Sequence, residues 1–190
     1  MLQLQSRTPR AWLDAVFADF DAFLVDHTQC ERKASAMGMS LVSKYPDRTL
    51  ILEPLIAFAR EELEHFHIMF KVLAERNLLL PADSKDPYVV ALRQVMPSDS
   101  EGLFLDRLLV CAVVEARSCE RLQMLTEALP EGPLKQTYLD LTRAEARHHA
   151  LFIRLAERYF PADRVKLRGR ALFEHEARVI ETLPLRAAVH

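Results

Sequence analysis

Cysteine and glycine are both scarce in this chain, and their scarcity limits the kinds of protein that it can be. Of its 190 residues, three are cysteine and four are glycine. Cys30, Cys111 and Cys119 are an odd number and show no CxxC spacing, which argues against a disulfide framework and against a zinc-thiolate site. Reduced thiols are typical of the cytoplasm, so the sequence predicts a cytoplasmic protein.

The sequence also lacks a charge imbalance and a long hydrophobic run. Its 25 basic and 27 acidic residues leave a net charge of −2. Bulk charge therefore does not indicate a nucleic-acid partner, although a local basic patch is compatible with one. The longest apolar run, residues 108–114, is too short to span a bilayer, and the first residues contain no apolar segment typical of a signal peptide. We expect no membrane partner.

Half of the residues are hydrophobic, and they recur at the spacing of amphipathic helices. Thr8 followed by Pro9 is typical of an N-cap with proline in the first turn, and Ser98 or Asp99 before Glu101 is typical of another cap. The predicted helices cover residues 8–45 (a stretch whose pattern allows a bend), 48–77, 86–96, 98–129, 134–159 and 163–182.

The order of these helices indicates the fold class. Short turns join the first two long helices and the last two, and a longer crossover joins the pairs, which is the connectivity of a ferritin-like bundle. The sequence therefore predicts an all-α fold, a ferritin-like four-helix bundle with additional short N-terminal, crossover and C-terminal helices. We expect residues 1–190 to form a single domain; the sequence does not indicate its oligomeric state.

The two helical pairs repeat one another in sequence. CERKAS at residues 30–35 resembles VEARSC at residues 114–119, and EELEHF resembles AEARHH, each followed by LAER. Glu31 and Glu62 lie 31 residues apart, and Glu115 and Glu145 lie 30 residues apart. This pattern favours a duplicated helical hairpin.

Helical facing selects among the acidic residues and histidines of the segment REELEHFH. Glu62 and His65 share a stripe with apolar residues such as Phe58, so we expect them to point into the core. Glu64 and His67 have the same spacing, but their stripe is charged and is typical of a solvated surface. In the second hairpin the apolar stripe likewise contains a Glu-x-x-His pair.

Four inward glutamates and two inward histidines point to metal ions. A buried, uncompensated carboxylate costs several kcal/mol, and two divalent cations would neutralise four of them. One Glu from each of two helices plus Glu-x-x-His from each of the other two is the di-iron carboxylate pattern, and oxygen-rich ligation suits iron or manganese better than structural zinc. The sequence predicts a site for two divalent metal ions, iron or manganese, whose ligands are Glu31, Glu62, His65, Glu115, Glu145 and His148.

Other polar residues near these helices are expected to lie outside the ligand set. We expect His67 and His149 to contact ligands only indirectly or to face solvent, and Cys119 to fill space in the core. The sequence leaves open whether His27, one turn before Glu31, hydrogen-bonds the carboxylate of that glutamate.

Four segments carry a family resemblance: LVDHTQCERKAS, AREELEHF, DRLLVCAVVEARSCERL and AEARHHALF. They resemble the tRNA hydroxylases of the MiaE family, over about residues 9–160. The resemblance implies a non-haem di-iron monooxygenase that uses O₂ and two electrons. Its substrate would be the isopentenyl group of 2-methylthio-N6-isopentenyl adenosine next to the anticodon in tRNA. The resemblance also implies that the six residues named above are the ligands of two iron ions (Fe²⁺/Fe³⁺) and the catalytic residues.

The resemblance makes tRNA the expected partner. Segment 164–170, RVKLRGR, is the densest basic cluster in the sequence. It is explained equally well by contacts with tRNA phosphates and by a solvated helix face with no partner. Its candidate tRNA-binding residues are Arg164, Lys166, Arg168 and Arg170. No flavin, nicotinamide or cluster motif is present, so we expect a separate electron donor, a ferredoxin or a reductase. Phe58, Phe66, Met69 and Phe152 are candidates for an apolar shell around the metals.

Three other classes share parts of this pattern. A ferritin- or rubrerythrin-like iron-handling protein would assemble into a large shell or carry a rubredoxin-like CxxC pair, and no such pair is present. A demethoxyubiquinone-type di-iron hydroxylase would expose an apolar helix to a membrane, and the sequence shows no clear one. A non-catalytic helical module would bind no iron.

Overall fold

The structure is a computed structural model that describes residues 3–190. Within this range the regular elements are helical, and no strand is present. The helices are α1 (Ala11–Ala18), α2 (Phe20–Lys44), α3 (Thr49–Glu75), α4 (Pro87–Arg93), α5 (Ser100–Ala128), α6 (Pro133–Glu157) and α7 (Ala162–Thr182). The all-α prediction is confirmed.

Side-chain caps explain the starts of α2, α4 and α5. The Asp99 side chain accepts a hydrogen bond from the Gly102 amide at 2.7 Å and starts α5 as predicted. Asp86 caps α4 through the Tyr88 amide at 2.9 Å, with proline at the first helical position.

The first predicted helix differs from the structure in two ways. It is broken between α1 and α2, where Asp19 accepts from the Ala22 amide at 3.1 Å and caps α2. The predicted N-cap at Thr8 is wrong, because α1 begins at Ala11 and the Thr8 hydroxyl donates to Glu120 at 2.7 Å instead. The Thr8 hydroxyl therefore donates to an acceptor that is distant in sequence, Glu120, instead of capping a helix as the local pattern predicted.

The described chain divides into two compact units. The first-hairpin unit contains Ala11–Ser84 and Arg186–Val189, and the second-hairpin unit contains the stretch up to Arg10, Lys85–Leu185 and His190. The single-domain organisation expected for residues 1–190 stays a prediction. Within residues 3–190, no helix has the length and apolar character that crossing a membrane requires.

The first-hairpin unit is built on the packing of α2 against α3. Its core residues include Phe23, Leu55 and Phe58, which are almost fully buried. At Gly38 the two helices approach so closely that an added Cβ would lie 2.9 Å from Phe58 Cδ1. The Trp12 indole N–H donates to the Ala188 carbonyl at 2.9 Å and ties α1 to the returning chain.

The second-hairpin unit is built on the packing of α5 against α6, with α7 packed on α4, α5 and α6. A buried ion pair joins α5 to α7: Arg117 donates from Nε and Nη2 to the two carboxylate oxygens of Glu176, at 2.8 and 3.0 Å. Neither side chain is exposed to solvent. Arg117 also donates to Glu120 and to Thr8 Oγ1, and the Tyr88 hydroxyl donates to Glu176 at 3.1 Å. Every charge in this network therefore has a partner.

Candidate metal centre

The first-hairpin unit brings three of the predicted ligands together. Glu31 comes from α2, and Glu62 and His65 come from α3, one turn apart on its inner face. All three are buried. His65 Nδ1 lies 3.6 Å from Glu31 Oε2 and 3.5 Å from Glu62 Oε2, and each residue offers a ligand atom within 4.8 Å of the others. We call these residues the first triad.

A hydrogen bond between the helices fixes this part of the hairpin. The Ser35 hydroxyl, one turn after Glu31, donates to the Ala59 carbonyl at 2.7 Å, and Ala59 lies one turn before Glu62. Together with the close approach at Gly38, this bond sets the spacing of α2 and α3 where the triad lies.

His27 hydrogen-bonds the carboxylate of Glu31, a contact that the sequence left open. Its Nε2 lies 2.6 Å from Glu31 Oε1, and the ring is 1% exposed. A carboxylate can only accept, so Nε2–H is the donor. Phe23 packs behind the imidazole, with ring centroids 6.0 Å apart. His27 therefore occupies one oxygen of Glu31, while the other oxygen faces His65.

The buried carboxylates set the electrostatics of the first triad. Burial alone raises the pKa of Glu31, but hydrogen bonds from His27 and His65 outweigh it and hold this pKa well below its ordinary value. Burial lowers the pKa of His65, whereas Glu31 and Glu62 outweigh that effect and raise it from 6.5 to about 10. In the metal-free protein His65 is therefore an imidazolium near neutral pH, and a metal ion that binds it displaces a proton.

The second-hairpin unit brings together the other three predicted ligands. Glu115 comes from α5, and Glu145 and His148 come from α6. All three are buried, each offers a ligand atom within 4.8 Å of the others, and His148 Nδ1 lies 3.8 Å from Glu115 Oε2. We call these residues the second triad.

The second hairpin repeats the interhelical bond of the first one. The Cys119 thiol, one turn after Glu115, donates to the Thr142 carbonyl at 3.7 Å, and Thr142 lies one turn before Glu145. Cys119 therefore takes the position that Ser35 takes in the first hairpin. The duplication predicted from the sequence thus extends to matching contacts inside each unit.

The donor chemistry of each triad fits a hard divalent cation. Two carboxylates and one imidazole provide two negative charges and a nitrogen ligand, which balances one ferrous ion when the histidine is neutral. Oxygen-rich sets of this kind suit iron and manganese, while structural zinc prefers thiolates and imidazoles. Each triad therefore has the donors that the predicted iron ions require.

This chain is similar in sequence to known proteins over most of its length. The family model described as tRNA-(MS[2]IO[6]A)-hydroxylase (MiaE) matches residues 1–190. The chain belongs to the MiaE family. A relative from Pseudomonas putida, named tRNA 2-(methylsulfanyl)-N(6)-isopentenyladenosine(37) hydroxylase, is 36% identical over 80% of this chain and 74% of its own length. A relative of the same name from Salmonella typhimurium is 28% identical over 93% of this chain and 83% of its own length.

A solved structure is similar to this MiaE-family chain throughout. It is described as Protein 43 with aldehyde deformylating oxygenase activity from Synechococcus. It matches with a TM-score of 0.92 and 30% sequence identity, over 98% of this chain and 93% of its own. The likeness confirms the ferritin-like fold class, and membership in a hydroxylase family confirms that the chain is an enzyme.

The polar residues of this MiaE-family chain that are predicted to lie outside the ligand set differ in their burial. Glu64 and His67 are exposed, with 65% and 55% of their side chains accessible. His149 is partly buried, and its Nδ1 lies 2.8 Å from the Ala112 carbonyl. Of the apolar shell candidates, Phe58, Met69 and Phe152 are buried, whereas Phe66 is only half-buried and lies beside the exposed Phe70.

Two thiols lie on α5 within one turn of Glu115. Burial raises the pKa of Cys111 to about 12. Burial and the charge of Glu145 raise the pKa of Cys119 to about 11. Cys119 also lines a groove of about 800 Å³ in the second-hairpin unit. The groove is lined by the segment before α1, by α5 and by α6, and its lining residues include Ala116, Ala146 and Ala150.

One of the four predicted tRNA-binding residues is bonded within the protein, whereas the other three are exposed to solvent. Arg168 donates to the two oxygens of the buried Asp106 at 2.8 and 2.6 Å and to the Val95 carbonyl at 2.9 Å, so its guanidinium is held within the unit. The guanidinium of Arg164 stacks over the Phe160 ring at 4.8 Å. Arg164, Lys166 and Arg170 are exposed, and they form the part of the basic cluster that solvent reaches.

Proposed function

We propose that this chain hydroxylates the isopentenyl group of 2-methylthio-N6-isopentenyl adenosine next to the anticodon of tRNA. The observation that carries the proposal is a pair of buried Glu plus Glu-x-x-His triads in a chain of the MiaE family. The names of the two relatives support the substrate. The reaction inserts one oxygen atom of O₂ into a C–H bond and reduces the other to water, which consumes two electrons and two protons.

We propose further that the two triads are the ligands of two iron ions and therefore the catalytic residues of the enzyme. They are Glu31, Glu62 and His65 in the first triad and Glu115, Glu145 and His148 in the second. Bound ferrous iron would activate dioxygen and supply the oxidising power that an unactivated C–H bond requires.

The surrounding side chains keep water from the ligands. Phe58 and Met69 flank Glu62 on the inner face of α3, and Phe152 lies one turn after His148; all three are buried. Their apolar side chains provide a dry environment in which an oxidant is protected from side reactions. His27 holds its proton on Nε2 and donates it to Glu31, which keeps that carboxylate in place and ionised.

Substrate and electrons would arrive from outside. A base within an anticodon loop must be extruded from its stack to reach a buried centre. Arg164, Lys166 and Arg170 are the exposed cations that we propose to contact tRNA phosphates. A ferredoxin or a reductase would deliver the electrons. A tRNA substrate also supports the cytoplasm as the compartment.

The direct test uses hypomodified tRNA, reductant and O₂, followed by mass analysis of the digested nucleosides. We expect a gain of one oxygen on the prenylated, methylthiolated adenosine, and much weaker turnover of the free nucleoside. Glu62→Gln should abolish the gain, whereas Glu64→Gln, a matched change on the exposed face of the same helix, should preserve it. Rapid ferrous oxidation with mineral formation in a large assembly, and no nucleoside product, would favour iron storage instead.

A second candidate is aldehyde deformylation. It is favoured by the similar solved structure, whose description names that activity. The same preparation incubated with medium- and long-chain aldehydes should release no formate if tRNA is the substrate. Formate release together with an unchanged tRNA would reverse the order of the two candidates.

A further inference from the structure

The two triads match in their ligands but differ in the residue that precedes them. His65 Nδ1 lies 3.6 Å from Glu31 Oε2, and His148 Nδ1 lies 3.8 Å from Glu115 Oε2. One turn before Glu31 the chain has His27, and one turn before Glu115 it has Cys111. The internal repeat therefore places an imidazole and a thiol at equivalent positions.

The imidazole gives the two oxygens of Glu31 different roles. Oε1 accepts the hydrogen bond from His27 at 2.6 Å, and Oε2 is the oxygen that faces His65. His27 is itself held, because its ring is 1% exposed and packs against Phe23. Glu31 is thus fixed before any metal ion arrives, with Oε2 turned toward the other ligands.

The thiol cannot replace that interaction in the second hairpin. A thiol is a weak hydrogen-bond donor, whereas an imidazole N–H that meets a carboxylate forms a short, charge-assisted bond. Cys111 is also buried, at 8% exposure. The residue one turn before the carboxylate is therefore a strong imidazole donor at Glu31 and a thiol at Glu115.

We propose that His27 is a positioning residue that makes the two metal positions inequivalent, so that the first triad binds its ion more tightly and fills first. The proposal rests on the metal ligands of the proposed function but not on its substrate. Hydrogen-bond partners of metal ligands orient the ligands, and their removal typically lowers metal affinity about 10- to 100-fold. The difference between the two positions should be of this size.

The test is an anaerobic titration of the metal-free protein with Fe²⁺ by calorimetry, repeated with Co²⁺ to follow its absorption bands. We expect two binding steps whose affinities differ about 10- to 100-fold. His27→Cys gives α2 the residue that α5 has; it should weaken the first step by that factor and change the Co²⁺ spectrum of the first ion. His27→Gln, which keeps an N–H donor, should retain part of the difference.

Cys111→Ser is the matched control, because it changes the equivalent residue of the other hairpin without adding an imidazole; it should leave the first step unchanged. A single step with one shared affinity in the wild type would overturn the proposal while leaving the metal centre in place. Equal weakening of both steps by His27→Cys would also overturn it, because that result indicates a general loss of structure. A wild-type protein that binds no ion would overturn both this proposal and the metal centre.

Discussion

Replacement of Arg117 by methionine should destabilise the protein severely. The guanidinium forms a bidentate pair with Glu176, and both side chains are inaccessible to solvent. In the variant, the Glu176 carboxylate would stay buried, with the Tyr88 hydroxyl as a hydrogen-bond donor and Arg121 as a nearby cation. Loss of one partner of a buried pair costs about 3–5 kcal/mol when the remaining charge has no other partner, and Arg121 should bring the loss toward the lower end of this range.

The structure also predicts that the two single variants differ. After Glu176→Met, Arg117 keeps Glu120 and the Ser6 carbonyl as acceptors, so this variant should cost less, about 1–3 kcal/mol. The double variant removes both charges and leaves two flexible apolar side chains in their place. It should therefore be closer to the wild type than Arg117→Met alone, since apolar replacement of a whole buried pair is often nearly neutral.

Urea unfolding of the metal-free protein, followed by circular dichroism, measures the free energy of unfolding of the wild type, the two single variants and the double variant. At about 2–4 °C of Tm for each kcal/mol, thermal scans should show Arg117→Met as the least stable variant. Metal content should persist in each folded variant, because the pair joins α5 to α7 and contains no predicted ligand. An Arg117→Met loss below about 1 kcal/mol, or a double variant whose loss equals the sum of the two single losses, would refute the reasoning.

Three further predictions concern the ligands and the basic cluster. The pKa of His65 is raised to about 10 in the metal-free protein, so its stabilising effect is complete below pH 6.5 and is lost as pH rises through 10; urea titrations in chelator should show this loss in the wild type and not in His65→Gln. Glu115→Ala should abolish hydroxylation yet change metal-free stability by less than about 1 kcal/mol or increase it, since it removes a buried charge; a large loss in denaturant titration would make Glu115 structural. Changing Arg164, Lys166 and Arg170 to glutamine should lower the slope of log affinity for tRNA against log salt by about 0.7–0.9 for each lost phosphate contact, with iron content intact; an unchanged slope would place the RNA surface elsewhere.

Local patterns predicted the helices well because caps and periodicity are written in short stretches of sequence. The local pattern predicted a cap for α5 at Ser98 or Asp99, and the hydrogen bond from the Gly102 amide identifies Asp99 as that cap. Thr8 was misassigned for the opposite reason. Its partner Glu120 is far away in sequence, and no local pattern indicates that it competes for the hydroxyl.

The same distinction explains the candidate site. Helical facing was enough to choose Glu62 and His65 over Glu64 and His67, because burial on one helix follows a 3.6-residue period. The ion pair between Arg168 and Asp106 was not predictable, since Asp106 lies on another helix. The contact of His27 with Glu31 lay within reach of the sequence, at a spacing of one turn, but rotamers decide whether such a pair meets.

The two protonated thiols on α5 have a consequence for the lifetime of the enzyme. Sulfur is the atom most readily damaged when a protein handles dioxygen, and the thiolate is the form that is attacked. With a pKa of about 11, Cys119 has about one thiolate in ten thousand molecules at pH 7, and Cys111, at about 12, has fewer still. The helix that carries Glu115 thus holds two cysteines beside the proposed metal centre mainly as thiols, the form that is less readily oxidised than the thiolate.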